Sequence, residues 1–141
     1  MSATTNCAPR LDSSLMASHS PVVFIVDDDV SVRESLPDLL GTFGFATRVF
    51  ASAQEFLESE SIRNTDCLIL DVAMPGMSGP ELQRELIQRG YSIPTIFITA
   101  RRDEYARSEL LSQGAVDCLF KPFSDQALSA ALDAALHTGP D

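Results

Sequence analysis

The sequence predicts an α/β fold, a doubly wound five-stranded parallel sheet with helices on both faces. Three observations carry this. Five short apolar runs alternate strictly with five helix-like segments from residue 22 onward. The first, third and fourth runs are nearly continuous in apolar residues, as strands covered on both faces are. Strict alternation of this kind implies right-handed crossovers between parallel strands.

The elements follow in order. "VVFIV" at 22–26 reads as the first strand. Val32, Leu36, Leu39, Leu40 and Phe43 then recur at 3.6-residue spacing, one face of a first helix, with Pro37 inside it as a candidate kink. A second strand is expected at 45–50, and Ser52 with Glu55 has capping-box spacing at the head of the second helix. The third strand is placed at 67–70. Ser78 with Glu81 repeats the capping signal for a third helix, which Gly90 punctuates. A fourth strand at 94–99 leads to a helix over about 102–113 that stops at Gly114. The fifth strand is expected at 115–120, and Leu128, Leu132 and Leu136 form the stripe of the fifth helix.

With 141 residues and 45% hydrophobic composition, the chain fits one domain and has no length for a second. Residues 1–20 lack a period and are rich in Ser, Thr and Ala, so they read as a disordered N-terminal tail, with Met16 as an alternative start. The domain is assigned to 21–138 and a short C-terminal tail to 139–141. The formal charge of -10 argues against duplex DNA as a direct partner, because phosphates attract basic faces. Cys7, Cys67 and Cys118 are an odd set without CxxC spacing, and two of them fall in strand-like runs. Buried free thiols in a reducing compartment are the expectation. No stretch has the apolar length of a membrane span or the apolar core of a secretion signal, and the chain reads as cytoplasmic. His19 and His137 lie near the ends and read as exposed bystanders.

The chemistry-bearing residues sit where strands end. In "VFIVDDD" an apolar run meets Asp27, Asp28 and Asp29, and carboxylates about 5 Å apart at an effective dielectric near 20 repel by roughly 3 kcal/mol per pair. A cation is therefore expected beside them. In a doubly wound sheet ligands gather at the carboxyl ends of strands, at the switch in strand order. If the order is 2-1-3-4-5, Asp71, which ends the third strand, meets that acidic cluster. Thr99 then closes the fourth strand and Lys121 the fifth. Such an edge suits a hard divalent cation such as Mg²⁺. It leaves Asp71 as a nucleophile toward a phosphoryl group, with Lys121 neutralising charge and Thr99 donating a hydrogen bond. Blander readings stand beside these. Asp27 to Asp29 suit a helix N-cap, Asp29 above all, Thr99 is a β-branched strand residue, and Lys121 can snorkel from the core.

The sequence resembles the receiver domain of two-component response regulators. The resemblance rests on "VDDD" at 26–29, "LDVAMPGMSG" at 70–79, "ITA" at 98–100 and "KPF" at 121–123, and covers about residues 22–137. "VFASAQEFL" further resembles receivers that usually precede a helix-turn-helix DNA-binding domain. The resemblance implies a flavodoxin-like (βα)5 fold with strand order 2-1-3-4-5. It makes Asp71 the phospho-acceptor, and Asp27, Asp28, Asp71 and the backbone carbonyl of Ala73 the Mg²⁺ ligands. Thr99 and Lys121 become the switch and phosphate-binding residues, and the bond before Pro122 is expected to be cis.

By the same resemblance a sensor histidine kinase or phosphotransfer protein supplies the phosphoryl group. A downstream protein then reads the surface of the fourth helix, fifth strand and fifth helix, including Tyr105, Arg107 and Glu109. Receivers also dimerise through that face, although nothing here selects dimer over monomer. The chain departs from the family at Cys118, where Tyr or Phe is common three residues before the lysine. Ala73 and Arg101 occupy positions that tune phosphoryl lifetime in the family, and they point in opposite directions. After Leu136 the chain ends "HTGPD", which leaves no room for a DNA-binding domain: it is a stand-alone unit or a cut one. Two other functions are weighed against the receiver reading. One is a phosphorylation-independent interaction module. The other is a phosphatase with an aspartyl nucleophile, for which Asp27 and Asp29 have D-x-D spacing but no cap region follows.

Overall fold

The computed structural model describes residues 21–60 and 62–136. Its elements are β1 (Val22–Val26), α1 (Val30–Thr42), β2 (Ala46–Phe50), α2 (Ala53–Glu58), a 3₁₀ turn (Ile62–Asn64), β3 (Cys67–Asp71), α3 (Gly79–Gln88), β4 (Thr95–Thr99), α4 (Glu104–Ser112), β5 (Asp117–Phe120) and α5 (Asp125–Leu136). All strand pairs are parallel, and the order β2-β1-β3-β4-β5 is the expected 2-1-3-4-5. The tails assigned to 1–20 and 139–141, with Cys7, Met16, His19 and His137, lie outside the described residues.

Period-two alternation along the strands divides the core into two layers. Val23 and Ile25 of β1, Cys67 and Ile69 of β3, Ile96 and Ile98 of β4 and Leu119 of β5 face α1 and α5, where Leu36, Leu40, Leu128 and Leu132 meet them. Phe24, Val26, Leu68, Leu70, Phe97 and Cys118 face the other way, toward α2, α3 and α4. There Phe24, Phe50 and Phe56 stack in a triad with ring centroids 5.4 to 5.9 Å apart. Each such side chain contributes about 1.5–3 kcal/mol on burial, so the two layers, not the helix caps, set the sheet in place.

Differences from the expected bounds have local causes. β5 starts at Asp117 because the chain has first to close α4. Gly114 (φ 108) turns it, and the Ala115 amide donates back to Leu110 O at 3.1 Å. Phe43 is the C-cap of α1 and still packs on the same face as Val32, Leu36, Leu39 and Leu40, and α1 runs past Pro37. Both expected capping spacings open helices: Ser52 accepts from Glu55 N, and Ser78 with Glu81 forms a reciprocal box. Cys67 and Cys118 are buried free thiols. Burial pushes Cys67 up to about 12, which keeps it protonated and unreactive. Among the described residues no helix is long and apolar enough to cross a membrane.

Candidate functional site

Register brings the strand ends together. Val26 pairs with Leu70, so Asp27 and Asp71 leave neighbouring strands side by side. Asp71 pairs with Ile98, which puts Thr99 next along, and Thr99 pairs with Phe120, which delivers Lys121. Carboxylate oxygens of Asp27, Asp28 and Asp71 lie within 4.8 Å of one another. Asp27 is fully buried, Asp71 is 6% exposed, and Asp28 opens to solvent.

Lys121 Nζ donates to Asp27 Oδ2 at 3.0 Å and lies 3.8 Å from Asp71 Oδ1. One ammonium among three carboxylates leaves the site short of positive charge. The effect shows on Asp71: burial and the Asp27 charge push its carboxyl up to about 7, against the pull of Lys121. An acid with a raised folded-state pKa binds its proton more tightly folded than unfolded, so stability falls as pH rises from about 4 through about 7. Without metal, Asp71→Asn is therefore expected to melt higher than wild type at pH 8. The ceiling of this gain is about 4 kcal/mol, which solvent screening reduces to the order of 2. The gain should fade as pH falls toward 4 in paired thermal melts. A constant difference across that range would refute the electrostatic cause.

The donor set fits a hard divalent cation. All three side chains offer oxygen, one is open to water, and added positive charge relieves the repulsion that raises Asp71. Ala73 lies exposed on the loop after β3, two residues beyond Asp71. Asp29 is the N-cap of α1, its side chain accepting from Ser31 N, and it stands apart from the three clustered carboxylates. Thr99 Oγ1 accepts from the Arg101 amide at 3.1 Å. The Lys121–Pro122 peptide is cis.

The face expected to carry output is only partly free. Tyr105 is 73% exposed and its hydroxyl bonds to Glu109. Arg107 is instead committed to β5, through Nε to Cys118 O at 2.9 Å and a 3.0 Å ion pair with Asp117. Cys118 and Thr99 border a cavity of about 90 Å³ with Val72, Ala106 and Leu110. Phe120 does not line it, and the Arg102 guanidinium covers its ring at 5.4 Å.

Two residues outside the expected set prove to shape the site. Gly79 starts α3 against the backbone of Asp71, and Arg33 reaches back from α1 to Asp27 O. A lone basic residue one turn after "DDD" is a readable signal for Arg33. Nothing local marks Gly79, because its partner lies on another element.

The family model of the response regulator receiver domain matches residues 23–133. Nodulation protein W of Bradyrhizobium diazoefficiens is 44% identical over 119 residues, covering 84% of this chain and 52% of that protein. Transcriptional regulatory protein FixJ of Azorhizobium caulinodans is 42% identical over 114 residues, covering 81% of this chain and 54% of that protein. The crystal structure of FixJ-N superposes with a TM-score of 0.77 at 38% identity, covering 87% of this chain and 98% of its own. The chain thus spans about half the length of the curated relatives it matches.

Proposed function

The chain belongs to the response regulator receiver domain family, and from that membership we propose that Asp71 is the phospho-acceptor of a two-component phosphorelay. The observation that carries this is the clustering of Asp27, Asp28 and Asp71 at one strand edge, with Lys121 against two of them and Thr99 on the next strand. One Asp71 oxygen attacks phosphorus, forming an acyl phosphate as the bond to the donor breaks. The donor's histidine nitrogen leaves, in a sensor histidine kinase or phosphotransfer protein. Asp27, Asp28, Asp71 and the Ala73 carbonyl would hold Mg²⁺. When bound, the metal supplies charge neutralisation for the transferred phosphoryl oxygens and favours the ionised form of Asp71. Lys121 pairs with the oxygens that result, and the Thr99 hydroxyl turns to donate to one of them.

Residues 21–138 form the unit that does this, in a reducing cytoplasm that suits buried Cys67 and Cys118. Its output is a change of surface around α4, β5 and α5 that a protein partner or a second copy reads, rather than direct contact with nucleic acid. Activity as a phosphate-ester hydrolase is not part of this reading. The test is intact-mass spectrometry after incubation with acetyl phosphate. A single phosphoryl adduct is expected, dependent on Mg²⁺ and absent from Asp71→Asn. A folded wild type that forms no adduct under any condition overturns the reading in favour of a phosphorylation-independent module.

A further inference from the structure

Asp27 is held at every polar group it has. Its amide donates to Phe50 O at 3.1 Å, its Oδ1 accepts from Asp29 N at 2.8 Å, and its Oδ2 accepts from Lys121 at 3.0 Å. The remaining group, the backbone carbonyl, accepts from Arg33 Nη1 at 3.1 Å. That carbonyl belongs to the peptide plane joining Asp27 to Asp28. Fixing the plane sets the direction in which the Asp28 backbone leaves β1, and so the spacing of the two carboxylates. Asp28 itself is exposed. Arg33 is well placed for the task, since its own amide donates to Asp29 O at 3.1 Å within the first turn of α1.

We propose that Arg33 is a positioning residue of the acidic site, acting through the Asp27–Asp28 peptide to hold the two carboxylates at the spacing a divalent cation requires. This rests on the cation-site reading given above. Two effects of opposite sign make it testable. Removing a positive charge beside a cation site strengthens cation binding by Coulomb's law. Removing the group that orients the ligands weakens it, typically by about tenfold or more. Net weakening therefore identifies positioning.

The experiment measures the Mg²⁺ dissociation constant by isothermal calorimetry, with the Mg²⁺-dependent rise in melting temperature as a second readout. Wild type, Arg33→Met and Arg33→Lys are compared. Methionine keeps the unbranched stem and its packing but has no donor, and lysine restores a donor and the charge. The expected result is binding weakened about tenfold in Arg33→Met and recovered in large part in Arg33→Lys. Acetyl-phosphate labelling of Arg33→Met should return close to the wild-type rate once Mg²⁺ is saturating. Unchanged or tighter Mg²⁺ binding in a folded Arg33→Met overturns the proposal while leaving the cation site standing. A wild type that binds no Mg²⁺ overturns the cation site and the proposal with it.

Discussion

Replacing Gly79 with alanine is expected to destabilise the protein by about 3 kcal/mol, although no exposed surface or charge is altered. A Cβ at this position would overlap the backbone oxygen of Asp71 and lie 3.1 Å from Phe97 Cε1. The first contact is with main chain in the centre of the sheet, which cannot rotate away as a side-chain tip does. Relief requires the first turn of α3 to lift from β3. The Gly79 amide, which donates to Val72 O at 2.9 Å, would then lose its partner. Because the displaced oxygen belongs to Asp71, the consequence reaches the site as well as the fold. Urea denaturation should show a lowered midpoint with little change in slope. Mg²⁺ binding should weaken in parallel. An unfolding free energy within about 0.5 kcal/mol of wild type would show that the α3 start yields easily, against the packing described.

Lys121→Met is expected to be nearly as costly in the absence of metal, by about 2–3 kcal/mol, and to become much milder in Mg²⁺. Lys121 holds the fully buried Asp27 at 3.0 Å and also faces Asp71 at 3.8 Å. Removing one partner of a buried pair leaves the other charge uncompensated, which typically costs about 3–5 kcal/mol. The cost here falls at or below the bottom of that range because the lysine side chain is 20% exposed and water reaches it. A divalent cation at the three carboxylates supplies the missing charge, so the Mg²⁺-induced rise in melting temperature should be larger in the variant than in wild type. Chelator-treated and Mg²⁺-loaded melts of both proteins measure this. An equal rise in the two would show that the cation does not sense the loss of Lys121 and so binds away from these carboxylates.

The match of sequence to fold is closest where the signal is local. Continuous apolar runs at β1, β3 and β4 and the capping spacings of Ser52 and Ser78 located their elements. Asp29 is an N-cap by the ordinary preference for Asp before a first helical turn. The reading was less accurate at β5 and on the α4 surface. Ala115 looks like strand, yet it is used to close α4, whereas Val116 donates to Thr95 O of β4 and leads into β5. Arg107, expected on the output surface, has its guanidinium taken by Asp117 and the Cys118 carbonyl. Both outcomes depend on an element that lies far along the chain.

The sequence by itself determined the alternation of elements, the cover of helices on both faces and the place of Asp27, Asp28, Asp71, Thr99 and Lys121 at strand ends, which the strand order then gathers at one edge. Each of these follows from period, cap or position at a strand's end, and the parallel sheet converts position along the chain into position in space. Only the tertiary structure decided how those residues are held and charged. That Asp71 is pushed up to about 7, that Arg33 secures Asp27 O, and that Gly79 must stay without a Cβ all depend on distances between separate elements. Burial and Coulomb interaction act through space, and no local pattern records them.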